Sequence, residues 1–356
     1  MRVRTRRFIL FSACLLMALV LSGCEAVGYY RQAIAGEYQI LAHQRSVESL
    51  IADPATPPKL KAKFQEVLKF RQFAAQELKE PAEKSYVKYT DLHRPCVVWT
   101  VVVVPALSLE PKTWWFPVVG RASYRGYFNE ASARRYAQKW EERGWDVNVG
   151  GVQTYSTLGW FRDPLLNTFI YEPESELAEI IFHELGHRRL FIPGDTDFNE
   201  AFATTVAEEG VRRWYLAAQK PKAYEDYLTE RRRENDFVKV VLAARDQLQS
   251  VYSDARLPDA EKLQRKEDVI RELRESYAKL KTRWGVTKSG YDYWFSEPIN
   301  NAKLNTIAAY YDLVPGFQAV LQAQHGDIEK FYQAIGALAK MPLEKRHEAL
   351  AHASEP

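Results

Sequence analysis

Two histidines and a glutamate fall within five consecutive residues of this 356-residue chain. The run His183-Glu184-Leu185-Gly186-His187 reads H-E-x-x-H. Because helix residues four apart lie on one face, the imidazoles of His183 and His187 can share a metal ion. Glu184 lies off that face, where its carboxylate can take a proton from a metal-activated water without binding the metal. The pattern predicts a zinc-binding helix with Glu184 as catalytic general base.

A third ligand is expected, because a catalytic zinc usually has three protein ligands and one open position. Between the histidines and the next acidic helix lies Phe191–Asp197, whose proline and glycine end the first helix. The helix predicted over Phe198–Ala218 can return against the first, with Glu200 in its first turn facing the metal. The alternative for Glu200 is a carboxylate that only favours a helix start. Two imidazoles and one carboxylate suit zinc, so we predict Zn²⁺ bound by His183, His187 and Glu200.

This arrangement resembles the gluzincin peptidases, whose third ligand is a glutamate on a following helix. Asn199–Ala203 is similar to the N-E-x-x-A run of zinc aminopeptidases. A closer resemblance, to a family of bacterial lipoproteins that carry the name aminopeptidase, covers most of the mature chain. The segments that carry it are Tyr124–Phe128, Tyr155–Phe161, Phe182–His187, Phe198–Glu200, Asn300–Ala302 and Val314–Phe317.

The resemblance implies an α+β fold that is predominantly helical, with a gluzincin-like zinc peptidase domain and a small sheet beside the H-E-x-x-H helix. It also implies aminopeptidase activity. The chain departs from the wider gluzincin pattern in two ways. Its histidine-to-glutamate gap is shorter, and Thr204 stands where some members place an aspartate that steadies a ligating histidine. Asp195 or Asp197 is the remaining candidate for that steadying role.

The first 23 residues predict a targeting segment, not part of the fold. Four arginines precede the apolar stretch Phe8–Leu21, which is too short to span a bilayer comfortably. Leu21-Ser22-Gly23-Cys24 matches a lipobox, in which the cysteine becomes acylated. We expect acyl chains on Cys24 to hold the mature chain at a membrane. Glu25 then favours the bacterial outer membrane, with the protein facing the periplasm.

The basic balance of the whole chain comes from that segment. The chain has 49 basic and 46 acidic residues, and losing the four leader arginines leaves 45 basic residues. Near-neutral charge gives no reason to expect nucleic-acid binding. In the mature chain Cys96 is left as a lone thiol, so no intramolecular disulfide is expected.

Hydrophobic periodicity divides the remainder into regions. After the leader we predict an N-terminal helical region (24–96), a zinc-peptidase core (97–220), a charged helical hairpin (221–284) and a C-terminal helical region (285–356). Strands are predicted over Val97–Val104, Trp115–Tyr124 and Trp145–Thr154, the last with a bulge at its glycines. The hairpin charges most simply indicate a solvated face.

The predicted reaction is hydrolysis of a peptide substrate. Gly151–Thr157, including Tyr155 and Ser156, is the candidate edge that pairs with substrate backbone. Tyr310, Tyr311, Tyr155 or Arg125 could donate to the developing oxyanion, although buried tyrosines more often have structural roles. An aminopeptidase also needs an acid for the substrate amino group, and Glu297, Asp163 and Asp292 are the candidates.

Two alternatives stay open at this point. One is a non-catalytic lipoprotein that uses a zincin scaffold to bind an envelope partner. The other is a zinc endopeptidase or amidase of the envelope with the same machinery. The oligomeric state is not predicted.

Overall fold

The computed structural model describes residues 27–116, 120–154, 163–311 and 313–353. Most of this chain is helical and the strands form three small sheets, so the predicted α+β architecture is confirmed. The helices are α1 (27–42), α2 (Val47–Ala52), α3 (Pro58–Glu77), α4 (Glu130–Glu141), α5 (Glu174–Arg189), α6 (Thr196–Ala217), α7 (Pro221–Ser253), α8 (Asp259–Trp284), α9 (Asp292–Ser296), α10 (Asn301–Tyr311), α11 (Val314–Ala323), α12 (Ile328–Leu338) and α13 (Leu343–Ala353). The strands are β1 (Arg45–Ser46), β2 (Lys88–Thr90), β3 (Val98–Pro105), β4 (Trp114–Phe116), β5 (Gly120–Ala122), β6 (Tyr124–Tyr127), β7 (Trp145–Val152) and β8 (Leu165–Leu166). In the described residues no helix has the length and apolar character needed to cross a bilayer.

The largest sheet has the strand order β6-β3-β7, with antiparallel pairing throughout. The single strand expected over Trp115–Tyr124 is wrong, because β4 and β5 form a separate antiparallel hairpin there. The bulge expected in β7 is also wrong. Its pairing with β3 runs without interruption from Val98–Val152 to Pro105–Trp145.

Both faces of this sheet are covered, which explains the unbroken apolar run in β3. Val101 and Val103 pack with Tyr136 of α4 on one face. Val102 and Val104 pack against Ala302 of α10 on the other. A strand buried on both sides needs no polar alternation, so its sequence reads as continuous valine.

Asparagines on α10 attach that helix to the sheet. The Asn301 side chain donates to the carbonyl oxygens of Pro105, Ala106 and Ser108, just past the end of β3. Asn300 donates to the carbonyl oxygen of Val147 in β7 at 2.9 Å. These amides bind backbone carbonyls in β7 and at the end of β3, so their role is structural.

The H-E-x-x-H helix α5 lies in a different core. Ile181, Phe182 and Leu185 pack with Phe70 of α3 and with Leu165 of β8. The small β1-β2-β8 sheet therefore shares a core with this helix. α6 packs along α5 and presents its other face to a third core, formed with α11, α12 and α13.

The charged segment forms two long helices, α7 and α8, that pack together around a core shared with Leu109, Phe295 of α9 and Leu304 of α10. One guanidinium joins α7 to the two helices of the candidate site. Arg231 pairs with Glu179 of α5 at 2.9 Å, with Glu208 of α6 at 3.0 Å and with Glu234 of α7 at 2.6 Å. This ion-pair cluster holds α7 against α5 and α6.

Candidate metal centre

Helix α5 carries charges that suit its ends. Glu174 and Glu176 lie in its first turn and Arg188 and Arg189 in its last, which complements the helix dipole. Most residues from the middle of α5 are buried, and most of the buried ones are apolar. Burying a polar group without a partner is unfavourable, so the two histidines and Glu184 in this apolar environment are candidates for a chemical role.

Helix α6 is fixed against α5 by close contacts between small residues. A Cβ added to Gly186 would lie 3.3 Å from the Cα of Ala203. At Gly210 an added Cβ would lie 2.5 Å from the Phe182 ring, which leaves no room for any side chain. Both crossings therefore favour glycine, more strongly at Gly210 than at Gly186, and the close approach brings Glu200 over the α5 histidines.

Side-chain hydrogen bonds and ion pairs fix the turn between α5 and α6. The Asn199 side chain accepts from the Ile192 amide and donates to the Ile192 carbonyl, both at 2.8 Å. Asp195 caps α6 and forms an ion pair with Arg346 of α13 at 2.6 Å. Its carboxylate also contacts the His347 ring at 2.9 Å. Because Asp195 is used there, we do not assign it the predicted role of steadying a ligating histidine.

The three predicted ligands converge. His183 Nε2 lies 3.1 Å from His187 Nε2 and 3.2 Å from Glu200 Oε2, and His187 Nε2 lies 3.6 Å from the same oxygen. Among the described residues they are the one group of three or more His, Cys, Asp or Glu side chains close enough to hold a metal.

These separations fit a tetrahedral ion. Zinc binds histidine and carboxylate at about 2.0–2.2 Å, which places neighbouring ligand atoms of a tetrahedron roughly 3.3–3.6 Å apart. The observed 3.1, 3.2 and 3.6 Å bracket that edge length. The donor set, two imidazoles and one carboxylate, also matches catalytic rather than structural zinc sites.

The electrostatics of the group favour an ionised Glu200. Burial alone would raise the pKa of Glu200, but hydrogen bonds from His183 and His187 outweigh burial and lower it. Burial would lower the pKa of His187, but the hydrogen bond and charge of Glu200 raise it instead. Protons therefore compete with a metal for this imidazole, because a ligating histidine must be neutral.

Glu184 lies beside the trio and does not belong to it. It is 8% exposed, and among the described residues its Oε2 has no hydrogen-bond partner. Burial raises the pKa of Glu184, while the charges of His187 and His183 partly oppose this. A buried carboxylate with one free oxygen next to a metal site can accept a proton there.

One residue near the site was not identified from the sequence. Tyr124 begins β6 and is 42% exposed. Desolvation on its protein-facing side and, after it, the charges of Glu200 and Glu184 raise the pKa of its phenol. Arg125, which was a candidate donor, points to the opposite face of the sheet. Its guanidinium lies 4.1 Å from the ring centre of Tyr29 and 4.7 Å from that of Tyr136. Strand alternation could have separated these two neighbours, but nothing in the sequence shows which face meets the metal.

The remaining predicted residues stay predictions. Tyr155, Ser156 and Cys24 lie outside the described residues. Tyr310 and Tyr311 lie on the last turn of α10, and their side chains are outside the description as well.

Of the three candidate acids, Asp163 is buried, and its charge is among the causes that raise the pKa of Glu184. Asp292 instead accepts from Tyr277 at 2.6 Å and pairs with Lys281 at 2.8 Å. Glu297 is exposed at the end of α9.

Comparison with known proteins gives one family. No curated protein and no solved structure matches the chain. A family model described as "Putative aminopeptidase" matches residues 28–350, a span that contains every residue of the metal centre and Glu184. Since the match runs from α1 into α13, the chain belongs to this "Putative aminopeptidase" family.

Proposed function

We propose that the chain is a zinc-dependent aminopeptidase, anchored through Cys24 to the bacterial envelope. The observation that carries the proposal is the 3.1–3.6 Å spacing of the His183, His187 and Glu200 donor atoms, with Glu184 buried beside them. A zinc ion held there supplies Lewis acidity that activates water and polarises the substrate carbonyl.

Glu184 is the general base in this proposal. Its free Oε2 takes a proton from the attacking water and delivers it to the leaving amine. The elevated pKa of the buried carboxyl suits both steps, because the group must gain and lose a proton near neutral pH. This role also argues against the non-catalytic alternative, since a structural zinc has no use for a base.

The Tyr124 phenol is the proposed donor to the developing oxyanion. Desolvation, and after it the charges of Glu200 and Glu184, raise the pKa of this phenol above its usual 10, so it is protonated and can donate a hydrogen bond at neutral pH. One such donor commonly contributes 10²–10³ in kcat. Asp163 is the proposed acid for a substrate amino group, because it is buried and its charge is one of those that raise the pKa of Glu184.

The decisive experiment compares the wild-type chain with Glu184→Gln. The variant should bind one zinc per chain, as wild type does, and lose turnover by about 10²–10⁴, the contribution typical of a general base. Turnover is measured on a panel of amino-acid amides and on an internally quenched peptide with a blocked amino terminus. Chelation should abolish wild-type activity and added zinc restore it.

Three results would contradict the proposal. Unchanged turnover in Glu184→Gln removes that residue as base. Absence of stoichiometric zinc in wild type removes the metal. Cleavage confined to the blocked peptide replaces the aminopeptidase with an endopeptidase while leaving the metal chemistry intact.

A further inference from the structure

Helix α1 has an apolar face turned to solvent. Val27 is 68% exposed, Tyr30 42%, Ile34 70% and Tyr38 69%. These residues recur at helical spacing and line one shallow groove with Arg31 and Ala35. We call Val27, Tyr30, Ile34 and Tyr38 the α1 stripe. A contiguous apolar surface of this kind marks an interaction site more often than chance exposure does.

The exposure does not come from a helix detached from the fold. On the opposite face of α1, Gln32 Oε1 accepts from the Phe128 amide at 2.9 Å. The Gln32 amide donates to the Gly126 carbonyl of β6 at 3.4 Å. Gly36 lies so close to the Phe128 ring that an added Cβ would clash with it. The helix is therefore seated on the catalytic unit with its stripe pointing outward.

We propose that the α1 stripe lies in the surface of a lipid bilayer and sets the orientation of the protein on the membrane. The proposal rests on acylation at Cys24. Only two residues lie between Cys24 and Val27, and this step of three positions spans at most about 11 Å. The acyl chains would thus enter the bilayer within reach of the first residue of the stripe.

The composition of the stripe matches a membrane interface better than a protein partner. Two of its four members are tyrosines, whose amphipathic rings favour the headgroup level. Arg31 adjoins them and can pair with lipid phosphate while its aliphatic stem stays in the apolar region. The acyl chains tether the mature chain to the membrane, and the apolar helix face adds an attachment at a second point of the protein.

Binding of the α1 stripe to the bilayer would fix the orientation of the candidate site relative to the membrane. Gln32 binds the backbone at Gly126, two residues from Tyr124 on the same strand. The helix seated on the bilayer therefore borders the strand that reaches the metal centre. A single flexible anchor would leave that site free to tumble.

The test uses the full chain, produced in a bacterium with its own leader, carrying Cys96→Ser. Single variants Ile34→Cys and Tyr38→Cys are labelled with a bimane fluorophore. Tyr293→Cys is the matched control, because Tyr293 is 75% exposed but lies on α9. Each protein is reconstituted into phosphatidylethanolamine–phosphatidylglycerol vesicles with or without nitroxide-labelled acyl chains.

We expect the nitroxide lipid to quench the labels at positions 34 and 38 at least threefold more than the label at 293. Equal quenching at the three positions overturns the proposal. Labels at 34 and 38 that are shielded from water but not quenched show that a second copy or another protein covers the stripe, which also overturns it. So does a mature chain whose intact mass lacks acyl groups and that does not sediment with vesicles. The readout involves no catalysis, so its failure leaves the proposed peptidase activity standing.

Discussion

The α5–α6 pair and the α7–α8 hairpin are both helix pairs, but they use polar residues in opposite ways. In α5–α6 the polar groups Glu184, His187 and Asn199 are buried. In the hairpin the core is apolar and aromatic, with Tyr277 stacked on Phe295 at 3.9 Å between ring centres. Most hairpin charges lie outside this core, as the sequence predicted for a solvated face. Buried polar groups are thus concentrated in α5–α6, whereas in the hairpin Lys266, paired with Asp146 of β7, is the one buried charge among the described residues.

The two pairs meet at Arg231, where this distinction breaks down. One guanidinium from the hairpin faces Glu179, Glu208 and Glu234. Even with Arg231 beside it, burial raises the pKa of Glu179 to about 7. Arg231 pairs with all three carboxylates, so this cluster stabilises the packing of α7 on α5 and α6 only while the arginine is present.

Removing that cation should give the largest effect on stability. Arg231→Gln leaves the carboxylates without a compensating charge, and breaking a buried pair in this way costs about 3–5 kcal/mol. We expect the lower half of that range, because the side chains keep some solvent access. Urea unfolding at pH 7 measures the loss, which should shrink in acid as the carboxylates protonate.

Arg265→Gln is the matched control on α8. Its pair with Glu261 is half exposed on both sides, so its loss should change stability by less than about 1 kcal/mol. Equal losses in the two variants would show that Arg231 is an ordinary surface charge. The hairpin would then contribute nothing specific to α5 and α6.

A smaller effect is expected where α5 crosses α6. Gly186→Ala places a methyl group 3.3 Å from the Ala203 backbone, so one helix must move. Overpacking of this kind costs about 1–3 kcal/mol. Both histidines lie on one of these helices and Glu200 on the other, so a shift of either should lower zinc affinity, as measured by competition with a chromogenic chelator.

Gly336→Ala is the control for that experiment. Gly336 lies inside α12 with no atom within 4 Å of an added Cβ. Alanine there should stabilise the chain by up to about 1 kcal/mol and leave zinc affinity unchanged. If Gly186→Ala behaves like this control, the close helix crossing does not position Glu200.

Contacts between residues close together in the sequence could be predicted, whereas contacts between distant residues could not. His183 and His187 share a face because of the helical period alone, and a short turn suffices to return Glu200 to them. Tyr124 precedes Glu184 by 60 residues and meets it only through the tertiary fold. The Arg346–Asp195 pair spans 151 positions. Such pairings have no local pattern, so they could be observed only in the structure.

The partners of the α10 asparagines could not be predicted for the same reason, because they lie far away along the chain. The sequence shows asparagines at positions 300, 301 and 305, but not which backbone groups they bind. Asn301 binds carbonyls more than 190 residues away, where β3 ends. The helix could be predicted from its sequence, but the backbone groups that its asparagines bind could be identified only in the structure.

The last predicted effect concerns Glu80, a buried acid just after α3. Its carboxyl oxygens are buried and, among the described residues, have no hydrogen-bond partner, with one near Gly186. Burial raises the pKa of Glu80 well above its usual 4.5, although the charge of Arg189 opposes this. The folded state therefore keeps a proton that the unfolded chain releases. Stability from this group is complete below about pH 4.5 and falls as pH rises towards the folded-state pKa.

Glu80→Gln removes this titration while preserving shape. The stability of wild type relative to the variant should fall with rising pH, by at most about 1.4 kcal/mol per pH unit within that window. Urea unfolding between pH 4 and 8 measures the difference. Glu77→Gln, on the exposed last turn of α3, is the comparison and should show no such slope. A flat difference for Glu80 would mean that its carboxyl ionises in the fold, and the contrast with the Arg231 cluster, where buried carboxylates do have a cation, would disappear.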